Sequence, residues 1–195
     1  GVIEPADPFW CMVRGASNAK LDGFIIDGET LTNPRVSRWP GVYANGVTGF
    51  ELSNCEIHHF HDELRVAAKD PHALRARVSD CILRDAWPIT DLGSTPIDDS
   101  DFGHAHAWVI GTGDLNVQFL RTTFLRAHDG IEVAPQGTMS NIDITVSTCR
   151  FEETENGLEI VDSGLTSYSV DNSIFIKCHN IPPPFGGYDL SLTTG

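Results

Sequence analysis

Two short stretches of the chain, HFHDEL (His59 to Leu64) and RAHDGI (Arg126 to Ile131), each set a His–Asp pair just ahead of an aliphatic strand start. The pairs His61–Asp62 and His128–Asp129 stand 67 residues apart. An imidazole steadied by a carboxylate moves protons near neutral pH, and both groups bond sugar hydroxyls. A bend between strands also calls for Asp, whose side chain bonds nearby backbone, so the pairs have a structural reading beside the chemical one. A second concentration is the run Asp98, Asp99, Asp101, His104 and His106. Its carboxylates suit Ca²⁺ and its His-x-His suits zinc or another transition metal; a solvated acidic loop is the alternative. No cofactor is demanded by the pattern, and Ca²⁺ is the one it suggests. Five of the thirteen basic residues, Arg65, Lys69, Arg75, Arg77 and Arg84, fall within twenty positions, which either seats an anionic ligand or forms a solvated face.

Side chains so far apart in sequence meet only if the chain returns on itself. A frame recurs that would make it do so: an aliphatic residue, two mostly polar ones, a small one, any residue, then an apolar one. It reads LDGFII, LSNCEI, VSDCIL, FLRTTF, VSTCRF and VDNSIF, with Phe24, Cys55, Cys81, Thr122, Cys149 and Ser173 at the fourth place. The spacings of 31, 26, 41, 27 and 24 residues show a base period with insertions. Short alternating segments come after each frame, as in GVYA, GIEV and GLEI, so each repeat reads as three short strands with bends and no amphipathic helix. One such unit cannot bury its apolar face, whereas stacked copies can. The expected fold is all-β: a single domain over residues 1–195, a parallel β-helix of about six coils with two long loop insertions.

In this register His61, Trp87 and His128 share one column and Asp62, Pro88 and Asp129 the next, which puts the His–Asp pairs about 10 Å apart. Trp87 would lie between them, offering an aromatic face to a sugar ring. Four places past the small residue stand Gly28, His59, Asp85, Arg126, Glu153 and Lys177, whose signs alternate from Asp85 onward, so neighbouring coils would pair them. Arg126 is also placed to reach a substrate carboxylate. The outward residues of the third strand, Tyr43, Arg65, Thr90, Glu132 and Glu159, flank the His–Asp column. The insertions are expected over Gly28 to Gly41, ahead of the strand of the first coil, and Leu92 to Trp108, after that of the third.

A net charge of −14 argues against nucleic acid as the main partner. No apolar run reaches the eighteen or so residues of a membrane span. Five cysteines without a CxxC pair fit a recurring small buried position better than a metal knuckle. The chain starts at Gly1 with no basic-then-apolar leader, as a processed or excerpted form would.

RGASNAKLDGFIIDG and NGVTGFELSNCEI resemble coils of the pectate-lyase-like superfamily of right-handed parallel β-helix proteins, a resemblance that spans nearly the whole chain. It implies handedness, an extracellular or cell-surface location and a polysaccharide partner. It leaves activity open, because that superfamily holds lyases, glycosidases, epimerases, esterases and non-catalytic spikes. Asp70-Pro71-His72, in AAKDPHALR, resembles the Asp-Pro-His motif of mannuronan C5-epimerases. That likeness implies Asp70 and His72 as catalytic residues, Asp91 as the further acid and His128 near the family's basic residue. The family's Tyr, three places before the Asp, is Ala67 here, which puts its acid–base group in doubt. Abstracting the C5 proton of a uronate needs its carboxylate neutralised, by Arg65, Arg84 or Arg126, and a base, His72 or Lys69. Two functions are therefore expected in competition. One is lyase or epimerase action on an anionic, uronate-containing polysaccharide. The other is a non-catalytic carbohydrate-binding or structural module, which open strand edges would let associate with copies of itself or flanking domains.

Overall fold

The computed structural model describes residues 2–3, 17–28, 40–68, 74–86, 105–111, 114–135, 141–162, 166–178 and 190–194. These residues are all-β, with strands β1 (Val2–Ile3), β2 (Ala19–Asp22), β3 (Ile25–Asp27), β4 (Val42–Asn45), β5 (Gly49–Ser53), β6 (Glu56–His58), β7 (Leu64–Ala68), β8 (Leu74–Ser79) and β9 (Ile82–Arg84). The chain continues through β10 (Ala105–Gly111), β11 (Leu115–Leu120), β12 (Thr123–Pro135), β13 (Ile142–Ser147), β14 (Arg150–Asp162), β15 (Thr166–Asp171), β16 (Ile174–Ile176) and β17 (Leu190–Thr194). Among the described residues no helix is long and apolar enough to cross a membrane.

Every pairing among the described strands is parallel, and the strands form three ladders. The first is β2-β5-β8-β11-β13-β15. The second runs β1-β3-β6-β9 into the N-terminal half of β12, then β14 and β16; the third runs β4-β7-β10 into the C-terminal half of β12, then β14 and β17. Because β12 and β14 pass unbroken from the second ladder to the third, those two join into one strongly curled sheet. The arrangement is consistent with a β-solenoid. Phe24, Cys55, Cys81, Thr122, Cys149 and Ser173 all precede the aligned residues Ile25, Glu56, Ile82, Thr123, Arg150 and Ile174, so the sequence frame is the structural register.

Local chemistry explains the bends. Gly23, Asn54, Asp80, Arg121, Thr148 and Asn172 lie between the first and second ladders with φ from 47° to 76°. The left-handed conformation turns the chain sharply there, and the small residue after it braces the turn. Cys55 Sγ donates to Ser53 O, Cys81 Sγ to Ser79 O and Thr122 Oγ1 to Leu120 O, at 3.1, 3.2 and 3.1 Å. Cys149 and Ser173 do the same. His59, Asp85, Arg126, Glu153 and Lys177 make the second bend, again left-handed. Cys55, Cys81, Cys149 and Cys178 are free and buried.

Inside, apolar side chains repeat coil upon coil: Leu52, Val78, Phe119 and Val146 from the first ladder face Ile26, Ile57 and Leu83 from the second and Leu64, Ala107, Ile131 and Leu158 from the third. Phe124, Phe151 and Phe175 stack at 4.7 Å with rings nearly parallel, one per coil, adding about 0.5–1.5 kcal/mol per pair beyond area burial.

The third coil departs from the expected layout. Its strand in the third ladder is β10, not the segment around Thr90, and Trp108 holds the column place expected for Thr90 between Arg65 and Glu132. The long insertion therefore precedes this strand, as the insertion of the first coil does. Both leave the coil after its second bend, at Gly28 and at Ala86, and both return at a third-ladder strand. Hydrophobic alternation is equally good in WPIT and HAWVI, so spacing alone favours the nearer segment.

Candidate functional site

The outward residues of the third ladder form a stripe, Tyr43, Arg65, Trp108, Glu132 and Glu159, one per coil. Arg65 is sandwiched: its Cζ lies 4.3 Å from the centre of the Trp108 ring and 5.7 Å from that of Tyr43. Both rings bind the guanidinium face by cation–π attraction. Its edge is bonded to Asp62 Oδ2, the Nε contact being 3.2 Å. Asp62 is fully buried. Burial raises its pKa, but the hydrogen bond and charge of His61, Nδ1 lying 3.1 Å from Oδ1, and the charge of Arg65 outweigh that and hold the carboxyl below its ordinary range.

The second His–Asp pair is built differently. His128 Nδ1 lies 2.7 Å from Asp129 Oδ2, and Asn156 Nδ2 donates to Asp129 Oδ1 at 2.8 Å. Asn156 is the ladder partner of Asp129 one coil on. The carboxylate, 1% exposed, is thus fixed from both sides and orients the imidazole. With Nδ1–H donating to Asp129, the ring's lone pair sits on Nε2, the arrangement that prepares a histidine as a base.

The ladder register relates the two pairs. β10 faces β7 with Ala107 opposite Leu64, and β12 with Ala105 opposite Asp129. Continuing the first register by two residues sets Ala105 opposite Asp62. Asp62 and Asp129 therefore share one column two coils apart, about 10 Å, with Ala105 rather than Pro88 between them. The aromatic residue that the described strands place in this coil is Trp108, three residues along the ladder from Ala105, between Arg65 and Glu132; Trp87 lies outside the described residues.

The remaining sequence-derived residues divide into three groups. Lys69, Asp70, His72, Trp87, Asp91, Asp98, Asp99, Asp101 and His104 lie outside the described residues. Arg84 and Arg126 are at the second bend, where Arg84 bonds Glu56 and Asp85 and Arg126 bonds Asp85. Lys177 bonds Glu153 at 2.9 Å in the same column, so the alternating charges pair as expected. Between two arginines, Asp85 is raised by burial but pulled down further by its hydrogen bonds to both, to about 2. His106 belongs to β10 and not to an exposed loop. It is wholly buried, with Nδ1 2.7 Å from Glu63 Oε2, and burial drives it down to about 3.

The run of basic residues does not form one patch. Arg65 is on the third ladder, Arg84 on the second, and Arg75 and Arg77 on the first, because a coil of two dozen residues passes all three faces. Arg75 and Arg77 point outward from β8 into a shallow groove of about 360 Å³, beside Lys20, Glu51, Asn116 and Gln118. An adjoining depression of about 530 Å³ adds Asp114, Asn141 and Asp143. The alternation in LRARVS signals two outward arginines, yet which strands border them is set only by the register.

The chain matches no family model, no curated protein and no solved structure. The resemblances to pectate-lyase-like coils and to the epimerase triplet rest on their quoted residues alone.

Proposed function

We propose that the chain is a right-handed parallel β-helix that acts on an acidic, uronate-containing polysaccharide laid along the outward stripe of the third ladder, by lyase or C5-epimerase chemistry. The observation that carries this reading is His128 held by Asp129 and Asn156, four residues along the ladder from the column of an arginine sandwiched between Tyr43 and Trp108. The rings offer apolar faces to sugars, and Arg65 offers a cation to a uronate carboxylate. His128 Nε2 takes the C5 proton, leaving an enolate whose charge the arginine offsets. Return of a proton to the other face inverts C5. Expulsion of the C4 oxygen, with formation of a C4–C5 double bond and protonation of the leaving oxygen, cleaves the chain. His61 supplies the second acid–base group; the epimerase resemblance assigns further catalytic roles to Asp70, His72 and Asp91, and Lys69 is a candidate base beside them.

A specific observation favours a second reading, carbohydrate binding without turnover. Asp62 is committed to Arg65, and the stripe carries Glu132 and Glu159 against that one arginine, so the cation is largely neutralised before a uronate arrives. Incubation with alginate, pectin and glycosaminoglycans separates the two. New absorbance near about 235 nm, from the double bond formed on elimination, or C5 inversion seen by NMR supports catalysis, and its loss in His128→Ala ties it to this site. Retained binding with neither product establishes the second reading.

A further inference from the structure

A different cluster lies at the second ladder. Asp27 ends β3 and His58 ends β6, and the two are partners in adjacent coils. His59 comes next in the left-handed conformation, φ 63°, which brings its ring edge-on to that of His58 with centroids 4.7 Å apart. Three atoms converge as a result. His58 Nδ1 and His59 Nδ1 are 2.9 Å apart, and Asp27 Oδ1 is 2.8 Å from the second and 3.2 Å from the first.

Protons alone do not satisfy this triangle. A hydrogen bond needs one proton on each edge, and two imidazole nitrogens beside a carboxylate bring at most two to three edges. One edge is therefore left with lone pairs or N–H groups opposed at close range. A cation in the centre satisfies all three at once. Three ligands on one face of an octahedron, each about 2.1 Å from a metal, are about 3.0 Å apart, against about 3.4 Å on a tetrahedron. The observed edges of 2.8, 2.9 and 3.2 Å centre on the first value.

We infer that Asp27, His58 and His59 form a site for one divalent transition-metal ion, bound by a carboxylate oxygen and two imidazole nitrogens on one face of the ion. Oxygen-only cations such as Ca²⁺ are disfavoured by two nitrogen donors. The surroundings suit the charge. His58 is nearly buried, so its ring is held in place by the coil around it. Arg84, next in the ladder after His58, opposes a cation, but it is tied to Glu56 and Asp85, which offset it. The side chains of Asp27 and His59 remain about one-fifth exposed, which leaves the opposite face of the ion for water or a further ligand. This site is separate from the outward stripe of the third ladder.

The test uses the whole chain, freed of metal by a chelator. Co²⁺ titration should give one equivalent bound with visible d–d bands of mixed nitrogen and oxygen ligation, displaced by Zn²⁺. Zn²⁺ should also raise the melting temperature. His58→Gln with His59→Asn, where Asn keeps the left-handed preference, should lower Co²⁺ affinity by at least about tenfold and abolish the Zn²⁺ shift. Asp27→Asn, at a partly exposed position, should weaken binding in the same way and stays informative if the histidine double variant fails to fold. Absence of binding to the parent chain, or unchanged affinity in Asp27→Asn, overturns the assignment.

Discussion

Glu63 Oε2 and His106 Nδ1 meet at 2.7 Å with both side chains at zero exposure. Their column is unusual. The ladder registers place Gly41 on one side of Glu63, and Gly130 and then Gly157 beyond His106. A Cβ at Gly41 would come within 2.8 Å of the Phe60 ring, and one at Gly130 within 2.5 Å of Phe151. Side chains at this place point inward, so three coils leave it empty and two fill it with a proton-sharing pair.

That pair sets a pH dependence. Burial raises Glu63 well above 4.5 and depresses His106 from 6.5 to about 3, so the folded pair carries one proton, on the carboxyl. The unfolded chain carries two protons on these groups below 4.5, one between 4.5 and 6.5, and none above 6.5. The pair's contribution is thus flat from 4.5 to 6.5. It is lost below that window, where unfolding takes up a proton, and lost above it, where unfolding releases one. His106→Ala, which leaves a buried neutral carboxyl without its partner, should cost about 1–3 kcal/mol, and Glu63→Leu with His106→Leu should recover most of it and flatten the alkaline decline. Urea unfolding at about pH 5.5 and 8.5 checks both statements.

Asp85 bridges Arg84 and Arg126 across the second bend. Its pKa, lowered from 3.8 to about 2, means stability present above 3.8 and lost as pH falls toward 2. Asp85→Asn, which retains the left-handed preference, should lose about 1–2 kcal/mol at neutral pH and nothing once the parent carboxyl is protonated. Thermal melts of both proteins across the acid range would show the curves converge.

Thr148 has φ 57° at the first bend, where the adjacent coils have Arg121 and Asn172 and the earlier ones Asn54 and Asp80. A β-branched residue is strained there. Its side chain is exposed, so Thr148→Asn should stabilise the chain by about 0.5–1 kcal/mol, read as a higher urea midpoint with unchanged slope.

At the proposed site, Asp129→Asn should release the His128 tautomer and lower kcat by about 10²–10⁴ with little change in KM. Trp108→Ala should instead raise KM and loosen Arg65. Equal effects of both substitutions on KM alone would assign the column to binding.

Much of this is legible in the residues. The frame with Cys55, Cys81 and Cys149 at its fourth place gives the register because one turn geometry recurs: a left-handed residue, then a small donor that closes onto the carbonyl two places back. The charge alternation of Asp85, Arg126, Glu153 and Lys177 has its origin in the same spacing. The strand of the third coil is not legible. An insertion displaces the next strand along the chain without leaving a mark on alternation, so Trp108 and His106 have the look of loop residues until the ladder is known.

The sequence by itself determined the period, the bends and which residues face inward, since these depend on backbone preferences and on apolar patterning within a few positions. Tertiary structure decided the neighbours between coils. Only the ladder hydrogen bonds show that Trp108 lies against Arg65, that Glu63 meets His106, and that Asp27 closes a triangle with His58 and His59. Contacts across a coil depend on the total length of the intervening loop, and no local pattern encodes that sum.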